Sequence, residues 1–204
     1  MAISAAPGNR NSQRGLNINR KRRCRQPSRQ LCRCGGLDLP SVHRVHDQLV
    51  NNIPDQGPAA IVHGDYRLDN MILSPKGEVA AVVDWELCTL GDPLADVGLL
   101  MVYWPDAGDE TLALGQPANL APGFPAREEL RARYAERSGR DLSQLDFFVA
   151  LGYWKLAIIL EGVYARYAAG AYGRADEGIQ QFARLVERLA EAADEAERRD
   201  SDTM

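Results

Sequence analysis

The chain of 204 residues carries 45% hydrophobic and 25% charged side chains and a formal charge of −4, an ordinary globular balance with room for one domain or one domain plus an extension. No uninterrupted apolar run approaches the roughly 20 residues of a membrane helix, and the N-terminus has no apolar signal-peptide core. Neither a membrane partner nor export is therefore expected, and a cytoplasmic protein with reduced thiols is.

The charge is unevenly spread. Residues 1–37 hold nine Lys/Arg and no acid, so the remainder holds 15 basic and 28 acidic side chains. A basic, acid-free segment suits a nucleic-acid arm or a transit peptide. This one is rich in Arg, Ser, Asn and Gly and has no apolar period, so residues 1–38 are expected to be a disordered or non-native leader; nucleic acid is not expected as a partner. Cys24, Cys32 and Cys34 lie there without CxxC zinc spacing.

From Leu39 the pattern changes. Val42, Val45, His46 and Leu49 recur at helical spacing, with Ser41 placed to cap the start. Ile53 to Pro58 is a loop. Ile61-Val62 is a short apolar run leading into His63-Gly64-Asp65. Met71–Ser74 and Val79–Val83 are short strands joined by Pro75-Lys76-Gly77-Glu78, a turn by composition. Asp92-Pro93 opens a helix whose apolar face is Leu94, Val97, Leu100 and Met101. Residues 104–125 form a long loop rich in Pro and Gly. Arg127–Arg137 is a short charged helix stopped at Ser138-Gly139. Leu145–Tyr167 is apolar nearly all round, the mark of a buried central helix, in which Lys155, Glu161 and Arg166 need partners. Asp176–Arg199 is an amphipathic helix whose charged end is expected to fray.

The chemistry gathers between residues 63 and 84. The strand–turn–strand unit folds back as a hairpin, which brings Asn70, before its first strand, near Asp84, after its second. Asp65, Asn70 and Asp84 then share one small site. Two carboxylates and an amide oxygen are hard donors of the kind Mg²⁺ takes when phosphates and water complete its octahedron. The stretch His63-x-Asp65-x-x-x-x-Asn70 has the spacing of a kinase catalytic loop. Its Asp is placed to accept a hydroxyl proton and its Asn to hold Mg²⁺. Asp84 follows at the end of the hairpin, where the second metal-binding carboxylate of kinases stands. As plain turn formers at strand ends, the two Asp would need to fall at this spacing by coincidence.

VHGDYRLDN, VVDWELCTLGDPLADVG and KLAIILEGVYARY resemble the aminoglycoside phosphotransferase-like kinases, in the branch related to the kinase-like domains fused to some acyl-CoA dehydrogenases. The resemblance implies a protein-kinase-like fold in which residues 39–195 are the mostly helical C-terminal lobe, with a small β-hairpin at the catalytic site and a charged tail over 196–204. It implies ATP-dependent phosphorylation of a small-molecule hydroxyl, with a hydroxylated acyl compound as a candidate acceptor. Asp65 would be the catalytic base, Asn70 and Asp84 the Mg²⁺ ligands, and His63 a buttress of the loop. Asp96 would hold the loop backbone from behind, and Glu86 would assist near the metal.

Such kinases place a β-lobe before the catalytic loop, with a phosphate-covering loop, a strand Lys and a helix Glu. The stretch before His63 is short for such a lobe, and Gly35-Gly36 and Lys21 do not fit those parts. The expectation is a chain lacking most of that lobe, binding Mg·ATP weakly and turning over slowly or not at all. Two other readings stay open. One is a non-catalytic helical interaction module; the other is a metal-dependent hydrolase using the same three residues.

Overall fold

The computed structural model describes residues 40–55, 57–109, 117–169 and 177–203, with side chains of the last helix from 182 to 199. The leader expected over 1–38, its three cysteines and the Gly170–Gly173 break lie outside the described residues.

Among the described residues there are five α-helices. Helix α1 spans Pro40–Asn51 and buries Val42, Val45 and Leu49. It already includes Ser41, which therefore sits in the first turn instead of capping it. Helix α2 spans Leu94–Val102. Its first turn is held by Asp92, whose Oδ1 accepts the Leu94 N–H at 3.1 Å, as expected of an acid placed before Pro93. Helix α3 spans Arg127–Ser138 and ends on Gly139 in the left-handed region, φ 63°, whose N–H returns to Ala135 O. Helix α4 spans Leu145–Ala168 and is buried along most of its length, from Leu145 to Gly162. Helix α5 spans Glu177–Thr203.

The core is organised around α4. Trp154 is fully buried and donates its indole N–H to Val42 O at 2.9 Å, which fastens α1 to α4. Val186, Leu189, Ala190, Ala193 and Ala196 of α5 pack into the same core. By length and composition α4 would cross a membrane, but 67% of its most apolar window is buried inside the protein, so packing accounts for its apolarity. Helices α2 and α4 cross closely: a Cβ on Gly98 would stand 2.6 Å from the Phe148 carbonyl carbon, and one on Gly152 3.0 Å from Val102 Cγ2.

The end of α5 differs from expectation. Instead of fraying, the helix continues to Thr203. Asp194 and Glu197 are buried, with partners supplied by α1 and the residue that follows it. Arg44 forks onto Asp194 at 3.2 and 3.0 Å, and Asn52 Nδ2 donates to Glu197 at 2.7 Å. Residues inside the stretch read as a charged tail, Ala196 and Glu197, are thus part of the packed body.

Among the described residues the strands form two antiparallel pairs. Strand β1 (Ala60–Val62) pairs with β4 (Thr89–Gly91), Ile61 opposite Leu90. Strand β2 (Met71–Leu73) pairs with β3 (Val79–Val82), Met71 opposite Val82, with an irregularity after Ile72. The turn between them is closed by Ser74, whose N–H donates to Glu78 O and whose hydroxyl accepts the Lys76 and Glu78 N–H groups. The hairpin's Ile72, Leu73 and Val79 are about half exposed.

Candidate active site

Strand β1 ends on buried Val62 and hands the chain to His63, which is 1% exposed. Its Nδ1 accepts the Asp65 N–H at 3.2 Å and its Nε2 lies 2.8 Å from Val83 O. A carbonyl only accepts and an N–H only donates, so the ring is the Nε2–H tautomer. His63 thus ties the loop that starts at β1 to the end of β3. Trp85 covers it, ring centroids 4.7 Å apart, with its own N–H on Val82 O.

The backbone behind the loop is held from α2. Asp96 accepts the His63 N–H at 2.6 Å and the Gly64 N–H at 2.9 Å. Gly64 itself has φ 89°, and a Cβ there would stand 2.8 Å from Leu87 O, so both conformation and space require glycine.

Asp65 and Asn70 are in direct contact. A short 3₁₀ turn, Leu68–Asn70, brings the amide of Asn70 back onto the loop. Its Nδ2 donates to Asp65 O at 2.8 Å and to Asp65 Oδ2 at 3.0 Å. Both partners are acceptors, which fixes the amide orientation and turns Oδ1 away from Asp65. Arg67 adds a cation at the same carboxylate: its Nε lies 3.4 Å from Asp65 Oδ2, its Nη1 3.1 Å from Asp69, and its guanidinium 5.0 Å over the Tyr103 ring. Burial pushes the Tyr103 phenol up, against the pull of Arg67, and burial with the Asp96 charge does the same to Tyr66.

Asp84 stands one residue beyond Val83, whose N–H donates to Asn70 O at 2.9 Å and whose carbonyl faces His63. Its backbone is left-handed, with φ 64 and ψ 53 degrees. It is the one non-glycine residue of that kind among the described residues. Such a conformation costs of order 1–3 kcal/mol and persists where surrounding contacts impose it. Here they come from both sides, through Val83 and through the 3₁₀ turn Trp85–Leu87 that follows. The Asp84 carboxylate is exposed. Glu86 lies on that turn, also exposed, with no hydrogen bond to the other site residues among those described.

The donor set suits Mg²⁺ better than a softer ion. Among the described residues no three His, Cys, Asp or Glu side chains cluster as a closed metal cage, and Mg²⁺ needs none, taking one or two carboxylates and completing its shell with phosphates and water. Asn70 Oδ1, freed by the orientation of its amide, and the exposed Asp84 carboxylate are oxygens of that kind.

Two residues at this site carried no sequence signal of their own. Arg67 is one charge among several in its loop. Lys155, marked only as a cation in need of a partner, reaches from α4 to donate to Gly64 O at 3.0 Å.

Known proteins with similar sequences and folds point to one family. The model of a phosphotransferase enzyme family matches residues 5–148, beginning upstream of Leu39. Acyl-CoA dehydrogenase family member 11 of Gallus gallus is 37% identical over 179 residues, covering 84% of this chain and 23% of that protein. The Homo sapiens protein of the same name is 37% identical, covering 76% and 20%. Acyl-CoA dehydrogenase family member 10 of Mus musculus is also 37% identical, covering 76% and 15%. The chain therefore spans under a quarter of the length of these relatives. A solved structure assigned as an aminoglycoside phosphotransferase, from Ralstonia eutropha JMP134, superposes with a TM-score of 0.72 at 28% identity, covering 88% of this chain and 55% of that one. The fold is kinase-like, mostly helical with small sheets.

Proposed function

The chain belongs to the phosphotransferase enzyme family, and on that ground we propose that it transfers the γ-phosphoryl group of ATP to a hydroxyl of a small molecule, with Asp65 as base and Asn70 and Asp84 as Mg²⁺ ligands. The observation that carries this reading is the double donation of Asn70 to Asp65. It joins the base and a metal oxygen in one rigid unit, as phosphoryl transfer demands, because catalysis there is chiefly positioning and charge stabilisation.

Asp65 Oδ2 is engaged by Asn70 and lies beside Arg67. Oδ1 is the oxygen left to take the proton of the acceptor hydroxyl as that oxygen attacks phosphorus and ADP departs. His63 and Asp96 hold the loop so that Oδ1 meets the hydroxyl without rearrangement. Glu86, two residues beyond Asp84 and exposed, assists by orienting water around the metal. Mg²⁺, when bound, supplies charge neutralisation on the donor's phosphate oxygens.

For the acceptor, the relatives carry acyl-CoA dehydrogenase in their names, which favours a hydroxylated acyl compound over an amino-sugar. The test is to incubate the 204-residue chain with ATP and Mg²⁺ and a panel of hydroxylated acyl compounds and amino-sugars, and to identify phosphorylated products by mass spectrometry. The expected result is a slowly formed phosphorylated hydroxyacyl product that disappears with Asp65→Ala. Metal-dependent hydrolysis of a panel compound without nucleotide would instead support a hydrolase, and no transfer to any acceptor would support a non-catalytic module.

A further inference from the structure

The peptide group between Gly64 and Asp65 is pinned at both ends by side chains. Its carbonyl accepts from Lys155 Nζ at 3.0 Å, and its N–H donates to His63 Nδ1 at 3.2 Å. The preceding peptide is held too, since the Gly64 N–H donates to Asp96 at 2.9 Å. The reason so many groups converge on one glycine is conformational. Gly64 sits at φ 89°, where only glycine rests easily, and glycine also has the widest choice of other states. Left to itself, the Gly64–Asp65 plane would rotate about the glycine, and the Asp65 Cα–Cβ bond would swing with it.

Lys155 is the long-range part of this arrangement, 91 residues from Gly64 in sequence. Lys155 lines a largely apolar cleft with Val62, Leu99, Phe148 and Ile158, in which Asp96 is the one carboxylate. A cation beside so much apolar surface is costly unless it is paired. A surface position would avoid that cost. Helix α4 instead places, in its apolar stretch, a lysine whose ammonium reaches the backbone carbonyl immediately before Asp65.

We propose that Lys155 is a positioning residue for Asp65: it fixes the Gly64–Asp65 peptide and through it the direction of the carboxylate, without touching the nucleotide or the acceptor. This rests on the phosphotransferase reading for its effect on rate, and on the geometry alone for its effect on the peptide.

The experiment has three arms, each on the full chain. In the first, amide exchange of Asp65 is followed by NMR in the wild type, Lys155→Met and Lys155→Arg. We expect about tenfold faster exchange in the methionine variant, the size expected for losing a hydrogen bond from a charged group, and partial restoration by arginine. Unchanged exchange in Lys155→Met overturns the proposal whether or not the chain is a phosphotransferase. The second arm is turnover. In Lys155→Met, kcat is expected to fall about 10²-fold, the cost of a displacement near about 1 Å, with KM for ATP within about twofold. A kcat equal to wild type, with Asp65→Ala inactive, overturns the role of Lys155 and leaves the function standing. Full transfer in Asp65→Ala overturns Asp65 as the base, and the exchange arm still judges the peptide. The third arm is rescue. The cleft holds about 460 Å³, room for a small amine, so propylammonium should restore part of the lost kcat in Lys155→Ala while propanol does not. Equal rescue by both would mean that Lys155 merely fills space.

Discussion

Asn70 commits both hydrogens of its side-chain amide to Asp65, one on the main-chain carbonyl and one on the carboxylate, at 2.8 and 3.0 Å. The isosteric Asn70→Asp separates two roles that a truncation would remove together. It keeps an oxygen for a cation, loses both donations, and puts a second carboxylate where a donor faced Asp65 Oδ2. Two carboxylates at hydrogen-bond distance repel. We expect transfer at neutral pH to fall about 10²-fold, with the fold intact by circular dichroism. Wild-type rates in Asn70→Asp would mean that the amide does not orient the base.

Asp84 gives a test in which stability and function move apart. Its left-handed backbone costs an aspartate of order 1–3 kcal/mol, and glycine would relieve that strain while losing somewhat more chain entropy. In Asp84→Gly the thermal midpoint is expected to stay within a few degrees of wild type or to rise. Mg²⁺-dependent nucleotide binding, followed by calorimetry, should be lost. Retained Mg²⁺ dependence would remove Asp84 from the metal site.

The α2–α4 crossing predicts an ordering of two similar substitutions. Alanine is preferred over glycine in a helix by about 1 kcal/mol, which favours both Gly98→Ala and Gly152→Ala. At Gly98 the new Cβ meets main chain of Phe148 at 2.6 Å, whereas at Gly152 it meets a valine methyl at 3.0 Å. Main chain of a packed helix cannot step aside as a side chain can, and overpacking of this kind costs about 1–3 kcal/mol. Gly98→Ala should therefore lower stability in urea, and Gly152→Ala should sit near neutral. The reverse order would show that the helices separate freely.

The α1–α5 contact should respond to acid. The hydrogen bond from Arg44, joined by that from Arg198, holds the Asp194 carboxyl below its ordinary value, against a burial cost that pushes it up. A depressed folded-state pKa means that stability is fully present above the unfolded value near about 3.9 and is lost as pH falls through the lower folded value. Arg44→Leu should lower the urea midpoint at neutral pH, with Arg198 left as the remaining partner of Asp194. The gap between wild type and variant in urea midpoint should close progressively below about pH 4. A gap that persists undiminished at lower pH would assign the loss to packing of the arginine stem.

What the sequence revealed was local. The spacing from His63 through Asp65 to Asn70, and a Pro-Lys-Gly-Glu turn between two short apolar runs, were enough to place Asn70 and Asp84 at the two ends of one hairpin. The helices followed from their apolar period, α4 most clearly, because its apolar positions run all round. What could not be read came from contacts made across long stretches of chain. Strand β4 is a short Thr-Leu-Gly run with no alternation, and it becomes a strand only by pairing with β1. The end of α5 reads as a fraying charged tail because the partners of Asp194 and Glu197 lie near the start of the described chain, on Arg44 and Asn52. Lys155 is one of a few charges in an apolar helix until the fold brings Gly64 to it.

The central claim is that Asp65 handles the proton while Asn70 and Asp84 serve the metal. It is tested most directly by measuring Mg·ATP binding and phosphoryl transfer side by side in wild type and Asp65→Asn. The account predicts that binding, by calorimetry, stays within about threefold, because Asn70 Oδ1 and the Asp84 carboxylate are untouched, while transfer falls by about 10²–10⁴, the usual worth of a positioned base. Transfer at the wild-type rate in Asp65→Asn would contradict it.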